Sequence, residues 1–185
     1  MRMNPETIHK ASDLINDFSE NELEKLFREN GEFRFAKRFA ETICRQRENQ
    51  PIQTTEDLVR VIDEALPKSL RFEKGRRPSW ARKHPATRVF QALRIAVNNE
   101  LGVLSEVLPL AWSRIKPDGR FAVISFHSNE DRTVKGFFRD LRQSRQAIAV
   151  TKKPIMASRS EIFENPRSRS AKLRVVQKCG EGGVS

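Results

Sequence analysis

The residues most able to do chemistry lie in three stretches of the sequence. In residues 84–98, helical periodicity places apolar side chains on one broad face and four hydrogen-bonding side chains on the other. These four are Arg88, Gln91, Arg94 and Asn98. Such a row can grip phosphates and the edge of an unstacked base, because Arg and Asn side chains present the needed donors and acceptors. A solvated or interlobe polar face fits the same pattern, so both interpretations stay open.

The second stretch, residues 124–132, runs from the predicted carboxyl end of a strand into the start of a helix. Ligands bind at this position in open α/β sheets, and the free amides of a helix start favour anions. His127 is therefore a candidate catalytic residue, and Ser128 with Asp131 is expected to cap the helix. Adjacent Ser and His also suggest a hydrolase, but the sequence lacks the glycine-flanked serine elbow of that class.

The third stretch, residues 165–174, crowds cations and hydroxyls just before a predicted strand. A surface loop of this kind can contact phosphates, or its cations can clamp carboxylates within the fold. Composition alone does not separate these two roles.

Two common kinds of site have no counterpart in the sequence. A nucleotide-like cofactor needs a glycine turn after a strand and an acidic residue about 20 positions later. No such turn is present, and the closest glycine cluster, at residues 180–183, has no helix after it. Cys44 and Cys179 are far apart and form neither a disulfide framework nor a zinc site, so no metal is expected.

The first group of elements that position these stretches is a helical lobe. Residues 1–75 are predicted to form four short amphipathic helices, the first of them beginning at Asn4 and ending near Phe18. The predicted helix-start signals are Asn4 with Pro5, Ser19 with Glu22, and Thr54 with Thr55. The aromatic and aliphatic residues that repeat at helical spacing are expected to form the core of the lobe.

The second group, residues 76–185, mixes helices and strands and gives the predicted fold class α/β. It follows a very basic linker at residues 67–85. The pattern predicts a helix over 86–101, a second helix broken at Pro109, and a buried strand over 121–126. A helix beginning at Ser128 and strands over 147–151 and 173–176 complete the order, with a loop between those two strands.

The basic charge of the chain is confined to its second part. The net charge is +11, yet residues 1–70 hold 11 Lys and Arg against 14 Asp and Glu, and the remaining residues hold 24 against 10. Clustered cations replace the counterions on nucleic-acid phosphates, so this asymmetry favours an RNA or DNA partner. No apolar run approaches the roughly 20 residues that cross a bilayer, so a cytoplasmic protein without a membrane partner is expected.

Five ordered segments resemble the bacterial methyltransferases that modify a 16S rRNA cytidine at N4. Residues 84–98 match the family's HPATRxFQALRIxVN helix, residues 125–132 its SFHSLEDR turn, and residues 165–174 its NPRSRSAKLR segment. Residues 1–3 match the end of its Asp-Met-Arg-Met-Asp segment, and residues 31–34 its Gly-Glu-Glu-Arg. The departures are Asn4 for Asp, Phe33 for Glu and Asn129 for Leu.

The resemblance implies a Rossmann-like methyltransferase domain interrupted by a helical insert. Residues 1–75 correspond to the insert, and residues 76–185 to the last part of the methyltransferase domain, with an incomplete sheet. The implied reaction is methyl transfer from S-adenosylmethionine to cytosine N4 of 16S rRNA in the small ribosomal subunit. By the same resemblance, His127, Arg88 and Asn98 would lie near the base, and Arg167 and Arg169 near phosphate.

Because the segment that should bind the methyl donor is not visible, the chain is expected to be truncated relative to the family and to bind S-adenosylmethionine weakly on its own. One alternative is a non-enzymatic RNA-binding or ribosome-assembly factor that keeps the RNA-facing surface. Another is a purely structural partner that completes a sheet supplied by a separate upstream chain. Homodimer formation and complementation by such an upstream chain both stay open.

Overall fold

The computed structural model describes residues 1, 3, 4, 6, 9–31, 34–67 and 84–180. The chain divides into two compact units, residues 1–100 and 101–185. The domain boundary predicted near residue 75 lies outside the described residues, as does the basic linker apart from Pro67, His84 and Pro85.

Unit 1 is helical, as the periodicity predicts. Its helices are α1 (Ala11–Asp17), α2 (Glu20–Gly31), α3 (Ala36–Asn49), α4 (Thr55–Ala65) and α5 (Ala86–Val97). Fully buried apolar side chains from α2 to α5 share one core, among them Phe27, Phe39, Ile62 and Leu93. The cap predicted at Ser19 with Glu22 is confirmed, since each side chain meets the backbone amide of the other. Thr54 caps α4 through a matching box with Asp57.

The start of the first helix differs from the prediction. The described helix begins at Ala11 rather than at Asn4. Asn4 instead makes a local turn in which its Oδ1 accepts the Glu6 amide at 3.0 Å. Asn side chains stabilise such turns in competition with helix, which explains why the signal appeared seven residues early.

The helix predicted over residues 86–101 ends at Val97, and a separate helix α6 (Glu100–Ser113) follows. Asn99 has a φ of 46°, in the left-handed region that ends a helix. The break predicted at Pro109 is wrong, since α6 runs through it. Pro109 and Ser105 are both exposed, so water can reach the Ser105 carbonyl that the proline leaves without a helical donor.

Unit 2 wraps helices around a small sheet. After α6 come β1 (Arg120–Ser125), α7 (Ser128–Gln143), β2 (Ala147–Ala149), β3 (Ile155–Met156), α8 (Arg159–Glu164), a 3₁₀ helix (Pro166–Ser170) and β4 (Lys172–Lys178). Three strands therefore lie where the sequence predicts them, within a few residues. β3, α8 and the 3₁₀ helix occupy the segment that was predicted to be a loop.

The last strand, β4, lies at the centre of the sheet. β1 pairs antiparallel along one edge of β4 over six residues, and β2 and β3 pair antiparallel with its opposite edge. The prediction that β1 is buried is wrong, because its side chains alternate and Ile124 is 57% exposed. One face of a half-buried strand packs on the core while the other stays open.

The core of unit 2 is aromatic and lies between the sheet and its helices. Trp112 and Phe138 contact Phe121 with ring centroids 6.2 and 5.7 Å away, and the Lys178 ammonium lies 5.3 Å from the Trp112 ring. A tight turn at Gly119 connects α6 to β1, since a Cβ there would lie 2.8 Å from Ile115 Cγ2 and from the Lys116 carbonyl oxygen. Helices with a small sheet agree with the α/β class. Within the described part of the chain, no helix is long and apolar enough to cross a membrane.

Candidate functional site

His127 lies at the junction of β1 and α7 and caps that helix. Its Nδ1 accepts the Glu130 amide at 3.3 Å, and the Glu130 carboxylate accepts the His127 amide at 3.2 Å. The capping residue is thus His127, not Ser128 as predicted, and its partner is Glu130 instead of Asp131. A histidine ring nitrogen with a free lone pair here replaces the usual hydroxyl acceptor. The capping-box pattern looks for a Ser or Thr three residues before an acid, so it does not detect a histidine cap.

Glu130 binds the turn that precedes α7. One of its oxygens also accepts the Phe126 amide at 2.7 Å, and the other lies 3.1 Å from His127 Nε2, outside hydrogen-bond geometry. Burial acts to raise the pKa of Glu130, but the contacts with His127 and the Phe126 amide outweigh it and lower that pKa. The carboxylate therefore stays charged and fixes the end of β1 where His127 stands.

Asp131 joins the first turn of α7 to the central strand. Its carboxylate accepts hydrogen bonds from Arg174 Nε at 2.7 Å, Arg174 Nη2 at 3.2 Å and Lys172 Nζ at 3.2 Å. The residue is only 8% exposed. The Arg174 hydrogen bond, with help from Lys172, holds the pKa of Asp131 below its ordinary value despite burial. This contact confirms, for Lys172 and Arg174, the carboxylate clamp that was one of the two roles predicted for the stretch 165–174. Its partner Asp131 was expected only to cap the helix.

The polar row predicted on α5 exists, and its members Arg94 and Asn98 have partners inside unit 1. Arg94 makes a two-pronged ion pair with Glu100, with Nε to Oε1 at 2.8 Å and Nη2 to Oε2 at 3.0 Å. Its side chain is still 43% exposed. The interpretation as an internal polar face thus accounts for part of the row. Arg88 is exposed, and Gln91 is half-buried.

Asn98 holds the beginning of the chain against the end of α5. Its Oδ1 accepts the Met3 amide at 2.7 Å, and its Nδ2 donates to the Met1 carbonyl at 3.0 Å and to the Arg94 carbonyl at 2.7 Å. The Asn98 side chain hydrogen-bonds only to backbone groups, so these contacts do not depend on the side chains of Met1 and Met3. The structure brings together two segments that the sequence matched to separate motifs.

Arg167 and Arg169 lie in the 3₁₀ helix with exposed side chains. Asn165 supports this turn, since its Oδ1 accepts the Arg167 amide at 3.3 Å. Its carbonyl accepts the hydroxyl of buried Ser168 at 2.8 Å. In the described residues neither guanidinium makes an ion pair, so the carboxylate clamp of this stretch is made by Lys172 and Arg174 and not by Arg167 or Arg169. Both are available to an anion outside unit 2.

The described residues do not form a nucleotide-cofactor cradle. Their glycines are Gly31 at the end of α2, Gly102 in α6, Gly119 before β1, Gly136 in α7 and Gly180 after β4. None lies between the carboxyl end of a strand and a following helix, where a phosphate- or ribose-binding turn belongs. At that position in β1 stand Phe126 and His127 instead.

Comparison with known proteins gives one consistent result. The model of the MraW methylase family matches residues 1–179. The "Ribosomal RNA small subunit methyltransferase H" of Heliobacterium modesticaldum is 45% identical over 96% of the chain, and the protein of that name from Acaryochloris marina is 50% identical over 96%. A third, from Trichormus variabilis, is 46% identical over 99%. The chain spans 59%, 55% and 55% of the length of these three relatives.

Proposed function

Because the chain belongs to the MraW methylase family, we propose that it is the RNA-facing part of a 16S rRNA methyltransferase. The proposed reaction transfers a methyl group from S-adenosylmethionine to N4 of a cytosine in the small ribosomal subunit, in the cytoplasm. The carrying observation is the 45–50% identity to proteins named as small-subunit rRNA methyltransferases over 96% of the chain. None of the described glycines forms the turn that would hold the methyl donor, and the residue roles below concern the RNA alone.

The sheet of unit 2 supports a partial Rossmann-like domain within this proposal. β1 and β2 are both antiparallel to β4, so they run in the same direction, and α7 connects them. A strand, helix and strand in this order form the unit from which parallel α/β sheets are built. We propose that residues 76–185 belong to the methyltransferase domain and residues 1–75 to a helical insert.

We assign proton acceptance to His127. A cytosine amino group must lose a proton when its nitrogen gains a methyl group, and a histidine ring nitrogen is a common proton acceptor in enzymes. In the neutral ring Nδ1 is the acceptor, and it is occupied by the Glu130 amide. To accept a proton, Nδ1 must first release its hydrogen bond from the Glu130 amide.

The RNA contacts are assigned to exposed arginines of the 3₁₀ helix and to the polar row of α5, which is Arg88, Gln91, Arg94 and Asn98. Arg88 is exposed on α5, and Arg167 and Arg169 are exposed on the 3₁₀ helix. The Arg94 guanidinium would bind a phosphate while it keeps its contact with Glu100. Gln91 precedes Arg94 by three residues and lies on the same helix face. Asn98 would act near the base by holding the Met1 to Met3 backbone in place.

Salt-dependent binding tests these assignments. The 185-residue chain would be titrated with 16S rRNA fragments at several salt concentrations, as wild type and as Arg88→Ala, Arg167→Ala and Arg169→Ala. Each lost phosphate contact should lower the slope of log affinity against log salt by about 0.7 to 0.9. Arg60→Ala is the matched control, because Arg60 is also exposed but lies in the acidic part of the chain.

Unchanged slopes in all three variants would remove RNA binding by these cations from the proposal. A change in the Arg60→Ala slope equal to theirs would show that total charge, not a site, drives binding. Tight RNA binding with no detectable methylation of cytosine N4 would favour the alternative of a non-enzymatic ribosome-assembly factor.

A further inference from the structure

Phe163 is the most exposed large apolar side chain among the described residues. It lies in α8 and is 88% exposed, more than Met3 at 70% or Leu110 at 67%. A single exposed apolar side chain is common on protein surfaces and carries no conclusion alone. The setting of Phe163 distinguishes it, because it stands in a segment rich in exposed cations.

Exposed positive charge surrounds Phe163 in the sequence and in the adjoining elements. Residues 152–170, here called the basic segment, contain five exposed cations and two exposed acids. The cations are Lys152, Lys153, Arg159, Arg167 and Arg169, and the acids are Glu161 and Glu164. In the part of the chain that the structure describes, none of the five makes an ion pair, so this positive charge is not neutralised within the protein.

The basic segment is ordered by its own hydrogen bonds. Ser158 caps α8 by accepting the Glu161 amide at 3.1 Å, and the Asn165 amide donates to the Glu161 carbonyl at 2.7 Å. The next turn is closed by Ser168, which is 5% exposed. Phe163 and the two arginines of the 3₁₀ helix therefore project from a fixed backbone rather than from a loose loop, which reduces the entropy lost on binding.

This combination fits one partner chemistry. Phosphates of a nucleic acid complement the unpaired cations, and an aromatic ring offers a face on which a base can stack. In a duplex the base faces are covered by their neighbours, so only a single-stranded or splayed segment can use such a ring.

We propose that the basic segment is a platform for single-stranded RNA, with Phe163 stacking on one unpaired base while Arg167 and Arg169 hold the flanking phosphates. The inference rests on the proposed function for its RNA partner and adds the stacking residue and the single-stranded form.

Anisotropy titrations with a labelled single-stranded RNA of about 12 nucleotides, and with the same RNA paired to its complement, test the platform. Phe163→Ala should weaken single-strand binding about tenfold, leave the salt slope unchanged and leave duplex binding unchanged. Phe163→Trp should bind as wild type and show quenched fluorescence on binding, while Phe163→Leu should stay weak because it lacks a ring. Leu110→Ala is the control, a similarly exposed apolar residue outside the segment.

Three results would overturn the platform. Phe163→Ala could bind single strands within about twofold of wild type, Phe163→Leu could restore binding fully, or duplex binding could fall as much as single-strand binding. The last two would point to a general apolar contact. If Phe163→Ala has no effect while Arg167→Ala and Arg169→Ala still lower the salt slope, the stacking inference fails and the proposed function stands. Circular dichroism of each variant confirms that the exposed substitution leaves the fold intact.

Discussion

Asp131→Ala should destabilise unit 2 by about 3 to 4 kcal/mol. The change removes three hydrogen bonds from Lys172 and Arg174 and leaves both cations on β4 facing each other. Breaking a buried ion pair costs about 3 to 5 kcal/mol. The Lys172 side chain is 32% exposed and can turn toward water, whereas that of Arg174 is only 17% exposed, so the lower part of that range applies.

Urea unfolding followed by Trp112 fluorescence measures this effect. Trp112 is buried in unit 2, and a Trp80→Phe background leaves it as the only tryptophan. Asp140→Ala is the matched control, because Asp140 lies on the same helix and pairs with Arg139 at the surface, where both side chains are about two-thirds exposed. That pair should contribute less than about 0.5 kcal/mol.

The effect should also depend on pH with a defined sign. Because the Arg174 hydrogen bond lowers the pKa of Asp131 in the folded state, the stabilisation is complete above the ordinary aspartate pKa and is lost as pH falls through the folded value. The difference between wild type and Asp131→Ala should therefore be constant near neutrality and shrink below about pH 4. Equal losses for Asp131→Ala and Asp140→Ala at pH 7 would refute the reasoning.

Two further predictions follow from single contacts, and a third concerns the methyl donor. Arg94→Ala should destabilise unit 1 by about 0.5 to 1 kcal/mol, since its partner Glu100 keeps 15% exposure, whereas Leu93→Ala should cost about 2 to 5 kcal/mol in urea melts through a core cavity. Equal losses would place Arg94 in the core. Gly119→Ala should lower the free energy of unfolding by about 1 to 3 kcal/mol, because the added Cβ crowds Ile115. An unchanged urea midpoint would show that the turn can shift to accommodate the Cβ. Calorimetry should find no S-adenosylmethionine binding by this chain with a dissociation constant of about 10 μM or tighter.

Local patterns in the sequence predicted most of the elements correctly. Helical periodicity located α2 to α5, and the Ser19 and Thr54 caps lie where a side-chain oxygen precedes an acid by three residues. These signals work because both partners lie within one turn of the chain. The errors arose where one local rule competed with another, as at Asn4, where turn formation prevailed over helix capping.

Contacts between distant segments could not be predicted from those patterns. Asp131 and Arg174 are 43 residues apart, and Asn98 reaches Met3 across 95 residues. Periodicity and caps carry no information about which strand lies at the centre of a sheet, and β4, the last strand, takes that place. The candidate residues themselves were identified, but the Glu100 partner of Arg94, which lies on the next helix, appeared only in the folded structure.

The most direct test of the proposed function is to measure N4-methylcytidine in 16S rRNA. Residues 1–185 would replace the matching segment of the Heliobacterium modesticaldum relative, of which they cover 59%. The chimera would be incubated with S-adenosylmethionine and small ribosomal subunits that lack the modification, and the rRNA nucleosides would be analysed by mass spectrometry. We expect N4-methylcytidine with the chimera and a strong loss with its His127→Ala form. A folded chimera that binds the subunits and S-adenosylmethionine yet forms no N4-methylcytidine would contradict the proposed function.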